Sequence, residues 1–168
     1  SIEHCAMADD DALIAIREAD AFMVPTLVIF KAFAEGGVAD GLPEALVRKI
    51  GSSLEQGIGA VERAHRLGVQ MAYGSDLLGR MHSRQLEEFD LRADVVPAPD
   101  LLRTATLVGA RLINREHDLG KVEAGYSADL LVVDENPLED IRVLTTPETK
   151  LKAVVKQGIF FKNELTAA

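Results

Sequence analysis

The sequence predicts an α/β fold in which parallel strands alternate with covering helices. Short apolar segments at 2–4, 21–27 and 69–73 have strand character, and segments of helical character separate them. Strands joined through helices are typical of a parallel sheet, because a parallel connection needs a long crossover. The segment 21–27 contains Pro25, which cannot donate to a ladder and therefore indicates the end or edge of its strand.

The predicted helices have recognisable ends. Asp9, Asp10 and Asp11 precede the first helix and Arg17 lies near its end, which complements the helix dipole. A second helix over 42–68 begins with Pro43 and ends at Gly68. Three glycines inside that segment argue against a straight helix. Further along, the patterns predict helices at 83–94 and 97–113, a strand at 130–133, and a hairpin at 151–163 around Gly158.

Composition excludes several classes of protein. The chain has 168 residues, about one domain, with 48% hydrophobic and 27% charged residues, as in globular proteins. Its net charge of −9 argues against a nucleic-acid partner, which would require a basic surface. The longest apolar stretch, at about 21–34, contains Pro25 and Lys31 and is too short for a membrane span, and we expect no secretory signal. The single cysteine, Cys5, fits a reducing compartment, so we expect a cytoplasmic protein.

Two polar residues follow predicted strands directly. His4 ends the first strand, and Asp76 follows the third strand through the turn Gly74-Ser75. In barrels and doubly wound sheets, the carboxyl ends of parallel strands carry the functional site. The sequence therefore predicts that His4 and Asp76 face one pocket.

Five ordered segments resemble a known family: SIEH at 1–4, VPTL at 24–27, YGSD at 73–76, TATLVGARLI at 104–113 and LGKVEAGYSADLLVVDENPLEDI at 119–141. Together they resemble the C-terminal half of a metal-dependent amidohydrolase, closest in pattern to the imidazolonepropionase-like and Xaa-Pro dipeptidase-like members. The resemblance covers essentially the whole chain, and the segment at 119–141 is its most specific part.

The resemblance implies a fold and a site. Residues 1–118 would form strands six to eight of a (β/α)8 TIM-like barrel with their helices, and residues 119–168 the C-terminal strands of a small β-sandwich. His4 would bind a divalent metal, most simply zinc, with one or two ions in the complete enzyme. Asp76 would bind metal and take a proton from the attacking water. His82, in the loop after strand eight, is a candidate substrate-binding residue.

The chain also departs from the family pattern. Members need a His-x-His pair after strand one, commonly a carboxylated lysine after strand four, and a histidine after strand five. No His-x-His occurs here, and the other histidines are His65, His82 and His117. A catalytic zinc usually takes three protein ligands, so two ligands cannot complete a site. We therefore expect a C-terminal portion of a longer enzyme that needs the N-terminal half of the barrel.

Several functions remain open at this point. The chain would supply part of the site of an amide-bond hydrolase of dipeptidase or N-acyl amino-acid hydrolase type. It could instead belong to a cyclic-amide hydrolase or deaminase of the same superfamily, or be a non-catalytic fragment that folds with a partner. Three parallel strands with open edges also predict a homo-oligomer. Cys5, beside His4, is expected to pack rather than bind metal, and Asp129 to have a structural role.

Overall fold

A computed structural model describes residues 1–39 and 41–165 of the chain. Six strands, seven α-helices and two 3-10 helices follow one another within these residues. In chain order they are β1 (Ile2–Glu3), α1 (Asp10–Glu18), β2 (Phe22–Val24), α2 (Leu27–Gly36), α3 (Glu44–Arg66), β3 (Gln70–Met71), a 3-10 helix (Gly79–Arg84), α4 (Glu87–Arg92), α5 (Ala98–Ala105), α6 (Leu107–Leu112), β4 (Leu130–Val133), a second 3-10 helix (Ile141–Thr145), α7 (Pro147–Lys150), β5 (Leu151–Lys156) and β6 (Ile159–Asn163).

The first sheet is parallel and has the order β1-β2-β3. Ile2 pairs with Met23, which in turn pairs with Met71. The strands are shorter than the apolar segments that predicted them, although single backbone bonds such as His4 N–H to the Val24 carbonyl extend the pairing. The parallel α/β arrangement is thus confirmed. The assignment of these strands to barrel strands six to eight stays a prediction.

The second sheet is antiparallel, in the order β4-β5-β6. The hairpin predicted around Gly158 is confirmed: β5 and β6 flank that glycine, whose φ is +79°. Ile141, Leu144 and Leu151, from the C-terminal third, join the same buried cluster as Met23 and Met71 of the first sheet. The boundary between residues 1–118 and 119–168 as two domains stays a prediction.

Two helices differ from the sequence patterns. Helix α2 begins at Leu27, the last residue of the apolar segment 21–27 that predicted a strand, and the patterns assigned no helix there because its first turns are buried and lack the polar residues that mark a helical period. The segment 97–113 forms two helices that meet at Thr106. The Thr104 carbonyl accepts a bond from Tyr73 N–H, so a contact from another element takes the place of a helical bond there.

Helix α3 is continuous over its 23 residues despite its internal glycines. Gly57 is buried, and a Cβ at this position would lie 2.7 Å from Leu27 Cδ2. The glycine therefore permits α3 to approach the start of α2 closely. Of the helices in the described ranges, none combines the length and apolar character that crossing a bilayer requires.

Candidate active site

His4 and Asp76 come together at the carboxyl edge of the parallel sheet. His4 follows β1 directly, and Asp76 lies five residues beyond the end of β3. The distance from His4 Nε2 to Asp76 Oδ2 is 3.9 Å, and both side chains are about half exposed. The structure therefore brings together the two residues that strand-end placement singled out. Their roles as metal ligands stay a prediction.

The backbone at this edge is left-handed at four non-glycine positions, one of them Cys5 with a φ of 55°. φ is 67° at His4, 50° at Thr26 and 52° at Asp76, and each residue follows a different strand of the sheet. Such conformations cost of order 1–3 kcal/mol each and cluster at functional sites. For a β-branched threonine this conformation is a genuine outlier. The strained backbone therefore marks this edge as a candidate functional site, where an unfavourable conformation sets the direction of the side chains.

Thr26 orients the imidazole of His4. The His4 Nδ1 atom lies 2.7 Å from Thr26 Oγ1, and the edge of the ring contacts Phe30, with centroids 6.0 Å apart. In the tautomer with its proton on Nδ1, the ring donates this bond to the hydroxyl oxygen. The lone pair of Nε2 then points toward Asp76, as expected of a histidine whose second nitrogen is held by a neighbouring group. Thr26 is only 3% exposed, and the sequence pattern did not single it out.

The donor set of this edge fits part of a divalent metal site. Ligand atoms about 2.0–2.2 Å from a tetrahedral zinc lie roughly 3.5 Å from each other. The 3.9 Å between His4 Nε2 and Asp76 Oδ2 is close to that spacing. Within 1–39 and 41–165, however, His, Cys, Asp and Glu side chains form no group of three that could hold a metal. The described part of the chain therefore brings two candidate ligand side chains together without a third.

Gly74 allows the chain to pass from β3 to Asp76. A Cβ on Gly74 would lie 2.5 Å from Val24 Cγ1, closer than real Cβ atoms approach their neighbours. The segment after β3 therefore runs directly against the end of β2. This contact explains why a glycine precedes the acid.

A buried ion pair lies behind the site. Glu88 and Arg92 of α4 are both fully buried, with Arg92 Nη2 2.6 Å from Glu88 Oε1. Glu88 Oε2 accepts a 2.7 Å bond from the Val28 backbone N–H at the start of α2. Burial raises the pKa of Glu88, against the opposing effect of Arg92. The sequence pattern predicted a helix at 83–94 but did not single out this pair.

His82 lies in the 3-10 helix after Asp76 and is exposed. Its role in substrate binding stays a prediction. Nearby, Arg84 Nε donates to Glu87 Oε1 at 2.7 Å, and Lys31 Nζ donates to Glu87 Oε2 at 2.7 Å. The bonds from Arg84 and Lys31 lower the pKa of Glu87 to about 2, outweighing the opposing effect of burial. These charges brace the segment that follows Asp76 against α2.

The two remaining candidates have local partners. Cys5 is half-buried against the core, and burial followed by the charge of Glu3 raises the pKa of its thiol. A raised pKa disfavours the thiolate that metal binding requires. Asp129 accepts bonds from Gln157 N–H and Ser127 Oγ, and it pairs with Lys156. It therefore ties the start of β4 to the β5–β6 turn, which is a structural arrangement.

The chain is similar to several characterised proteins over nearly its full length. It is 40% identical to a prolidase whose crystal structure is complexed with N-methylphosphonate-L-proline, with a TM-score of 0.89 over 96% of this chain and 40% of that one. It is 31% identical to a Xaa-Pro dipeptidase solved with bound methionine in the active site, with a TM-score of 0.84 over 96% and 39%. It is 27% identical to the ochratoxinase of Aspergillus niger over 96% of this chain and 34% of that protein.

The chain spans between a third and two fifths of the length of each of these relatives. The model of the amidohydrolase family matches residues 2–159, which include the parallel sheet, β4, β5 and the His4–Asp76 edge. This match extends over most of the chain. The chain therefore belongs to the amidohydrolase family.

Proposed function

We propose that the chain supplies part of the active site of a metal-dependent hydrolase that cleaves amide bonds. The observation that carries the proposal is the convergence of His4 and Asp76, each on left-handed backbone, 3.9 Å apart at the carboxyl edge of a parallel sheet. Zinc is the metal that best suits one imidazole and one carboxylate. The assignment of β1, β2 and β3 to strands six to eight of a barrel belongs to this proposal, with the remaining ligands on the part of the barrel outside this chain.

In this mechanism each residue has a defined task. His4 would bind the metal through Nε2, while Thr26 holds Nδ1. A bound divalent ion lowers the pKa of water and polarises a carbonyl. The Asp76 carboxylate would accept the proton that water loses as it attacks the carbonyl carbon, and would return that proton to the leaving amine nitrogen. Water and the amide are thereby consumed, and a carboxylic acid and an amine are formed.

The proposed substrate is a dipeptide or an N-acyl amino acid. Support comes from the prolidase and the Xaa-Pro dipeptidase, which cover almost all of this chain at 40% and 31% identity. An aminoacyl-proline is therefore the first substrate to test. Cyclic amides and amino-purines form the second panel, because a cyclic-amide hydrolase or deaminase of the same superfamily would place the same two residues at its site.

The test compares variants of the longest chain that the gene encodes. We expect Asp76→Asn to lower kcat on aminoacyl-prolines by about 100- to 10,000-fold while metal stays bound, because a general base is lost. His4→Ala should lower metal occupancy, because a ligand is lost. Kinetics and elemental analysis of the same samples separate the two effects. The matched controls are Asp11→Asn and His117→Ala at exposed positions away from the site.

Near-native kcat for Asp76→Asn at full metal occupancy would show that Asp76 is not the base. Turnover of the cyclic or purine panel alone would replace the dipeptidase proposal with the second candidate. An absence of turnover on every panel, with zinc bound, would favour the non-catalytic fragment.

A further inference from the structure

The first turn of α2 receives its cap from an unusual source. Thr26 occupies the N-cap position, but its side chain makes no capping bond and its φ is 50°. Threonine at this position normally accepts a bond from a backbone N–H of the first turn. Here the Thr26 hydroxyl lies 2.7 Å from His4 Nδ1 instead. The helix therefore needs another acceptor for its free N–H groups.

Glu88 supplies that acceptor from a position 60 residues along the chain. Its Oε2 atom accepts the Val28 N–H at 2.7 Å. A carboxylate at the start of a helix also interacts favourably with the helix dipole. The buried carboxylate of Glu88 therefore caps the first turn of α2 in place of the Thr26 side chain.

Arg92 connects the same carboxylate to the end of β3. Its Nε atom donates to Glu88 Oε1 at 2.7 Å, its Nη1 lies 3.5 Å from the Ala72 carbonyl, and its guanidinium lies over the Tyr73 ring at 5.7 Å. Nη2 approaches Glu88 but has no well-aligned hydrogen-bond acceptor among the described residues. Ala72 and Tyr73 lead directly into the turn before Asp76.

We propose that the Glu88–Arg92 pair is a positioning element that caps α2 in place of Thr26, so that the Thr26 hydroxyl is free to orient His4. Through Arg92, the same pair sets the end of β3 and hence the position of Asp76 relative to His4. Both side chains are fully buried, so they act through Thr26 and through the β3 end. The inference rests on the proposed function, since it assigns the pair a role at the same site.

The test uses the double variant Glu88→Leu with Arg92→Leu. Replacing both members of a buried ion pair by apolar residues often preserves stability, whereas removing one member leaves an unpaired buried charge. The single variant Glu88→Gln keeps an acceptor for the Val28 N–H but loses the charge. Glu55→Gln, the same substitution at an exposed position of α3, is the matched control.

Two measurements on the longest encoded chain distinguish positioning from stability. The first is the tautomer of His4, read from imidazole nitrogen chemical shifts of metal-free protein at fixed pH and assigned with His4→Ala. The second is affinity for zinc alone. The folded double variant should have a ratio of the two His4 tautomers that differs from wild type and should bind zinc about 10- to 100-fold more weakly, the size expected for loss of a group that orients a ligand. Glu88→Gln should show a smaller change of the same kind, and Glu55→Gln none.

A folded double variant with the wild-type tautomer ratio would overturn the inference, whatever its zinc affinity. If the double variant fails to fold, an unchanged tautomer ratio in Glu88→Gln would overturn it equally. Wild-type protein that hydrolyses no substrate while the tautomer still depends on Glu88 would remove the proposed function and leave the positioning role standing.

Discussion

At the residue scale, the contact with the Thr26 hydroxyl orients the His4 ring so that Nε2 faces Asp76. The hydroxyl is buried and close to Nδ1, while Nε2 faces the Asp76 carboxylate. An imidazole that rotated freely would spend much of its time with Nε2 directed elsewhere. The strained backbone at Thr26 is therefore explained by a specific task of its side chain.

We expect Thr26→Val to weaken zinc binding by about 10- to 100-fold, because it removes the hydroxyl and keeps the volume. Thr26→Ser should retain most of the affinity. The matched control is Thr104→Val, which removes an equally buried hydroxyl that bonds only to the Leu101 carbonyl of its own helix. Competition with a zinc chelator measures each affinity. Equal affinities for Thr26→Val and wild type would show that Thr26 does not orient the ligand.

Glu87 provides a pH prediction. Its pKa falls from 4.5 to about 2 in the folded protein, so the folded state favours the charged form. The stabilisation is complete above about pH 4.5 and is lost as the pH falls through about 2. We expect Glu87→Gln to be less stable than wild type at pH 6 by up to about 1 kcal/mol, since the ion pairs remain partly exposed.

The stability difference between Glu87→Gln and wild type should shrink steadily from pH 4.5 toward pH 2. Urea unfolding at several pH values measures this difference, and the exposed variant Glu55→Gln serves as the control for a general effect of charge. A difference that stays constant over this range would show that Glu87 does not titrate with a lowered pKa.

At the element scale, sequence patterns predicted those parts of the fold that depend on local signals. The hairpin around Gly158 and the helix ending before Gly68 follow from turn and cap residues, and both are present. Helix α2 was missed because a helix buried on most sides has no polar face. The break at Thr106 was missed because it depends on Tyr73, a residue from a different element.

In the candidate site, too, only residues marked by local sequence signals could be predicted. His4 and Asp76 could be found because strand ends are local features of the sequence. Thr26, Glu88 and Arg92 could not, because a buried charged pair and an uncapped helix start depend on contacts across 60 residues. An acid and a base spaced i and i+4 on a short helix normally indicate a solvated face.

Helix α3 offers a prediction about packing. Gly51 and Gly57 both lie inside it, so alanine gains about 1 kcal/mol of helix propensity at either position. A Cβ at Gly51 would make only an ordinary contact, 3.8 Å from Ala34 Cβ, whereas one at Gly57 would lie 2.7 Å from Leu27 Cδ2. Overpacking of this kind typically costs about 1–3 kcal/mol.

We therefore expect Gly51→Ala to stabilise the chain and Gly57→Ala to be about 1–3 kcal/mol less stable than Gly51→Ala. Unfolding in urea measures both variants under one set of conditions. Because Leu27 begins α2 beside Thr26, Gly57→Ala should also disturb zinc binding, and Gly51→Ala should not. Equal stabilisation by both alanines would show that α3 and α2 do not pack as closely as the structure indicates.

At the scale of the whole molecule, the candidate site lacks a third ligand side chain and the parallel sheet lacks neighbouring strands within the described residues. Within the described residues β1 and β3 each pair only with β2, which leaves one open edge on either side of the sheet. An apolar cavity of about 460 Å³ adjoins His4, and another of about 700 Å³ lies between α5 and β4. Large apolar side chains are exposed around the second sheet, including Leu131, Phe160 and Phe161.

These surfaces predict that the 168-residue chain associates when it is prepared alone. Open strand edges pair with other chains, and contiguous apolar patches drive association. Light scattering should therefore give a mass above that of one chain at concentrations of tens of micromolar and upward. Phe161→Lys, on the exposed edge strand β6, should reduce the association, and Lys49→Glu on α3 should not.

If the proposed N-terminal half of the barrel is the natural cover, adding it as a separate chain should replace self-association with a one-to-one complex and raise zinc affinity. A single-chain mass at every concentration, unchanged by the added half, would contradict both the open-edge argument and the proposed assembly.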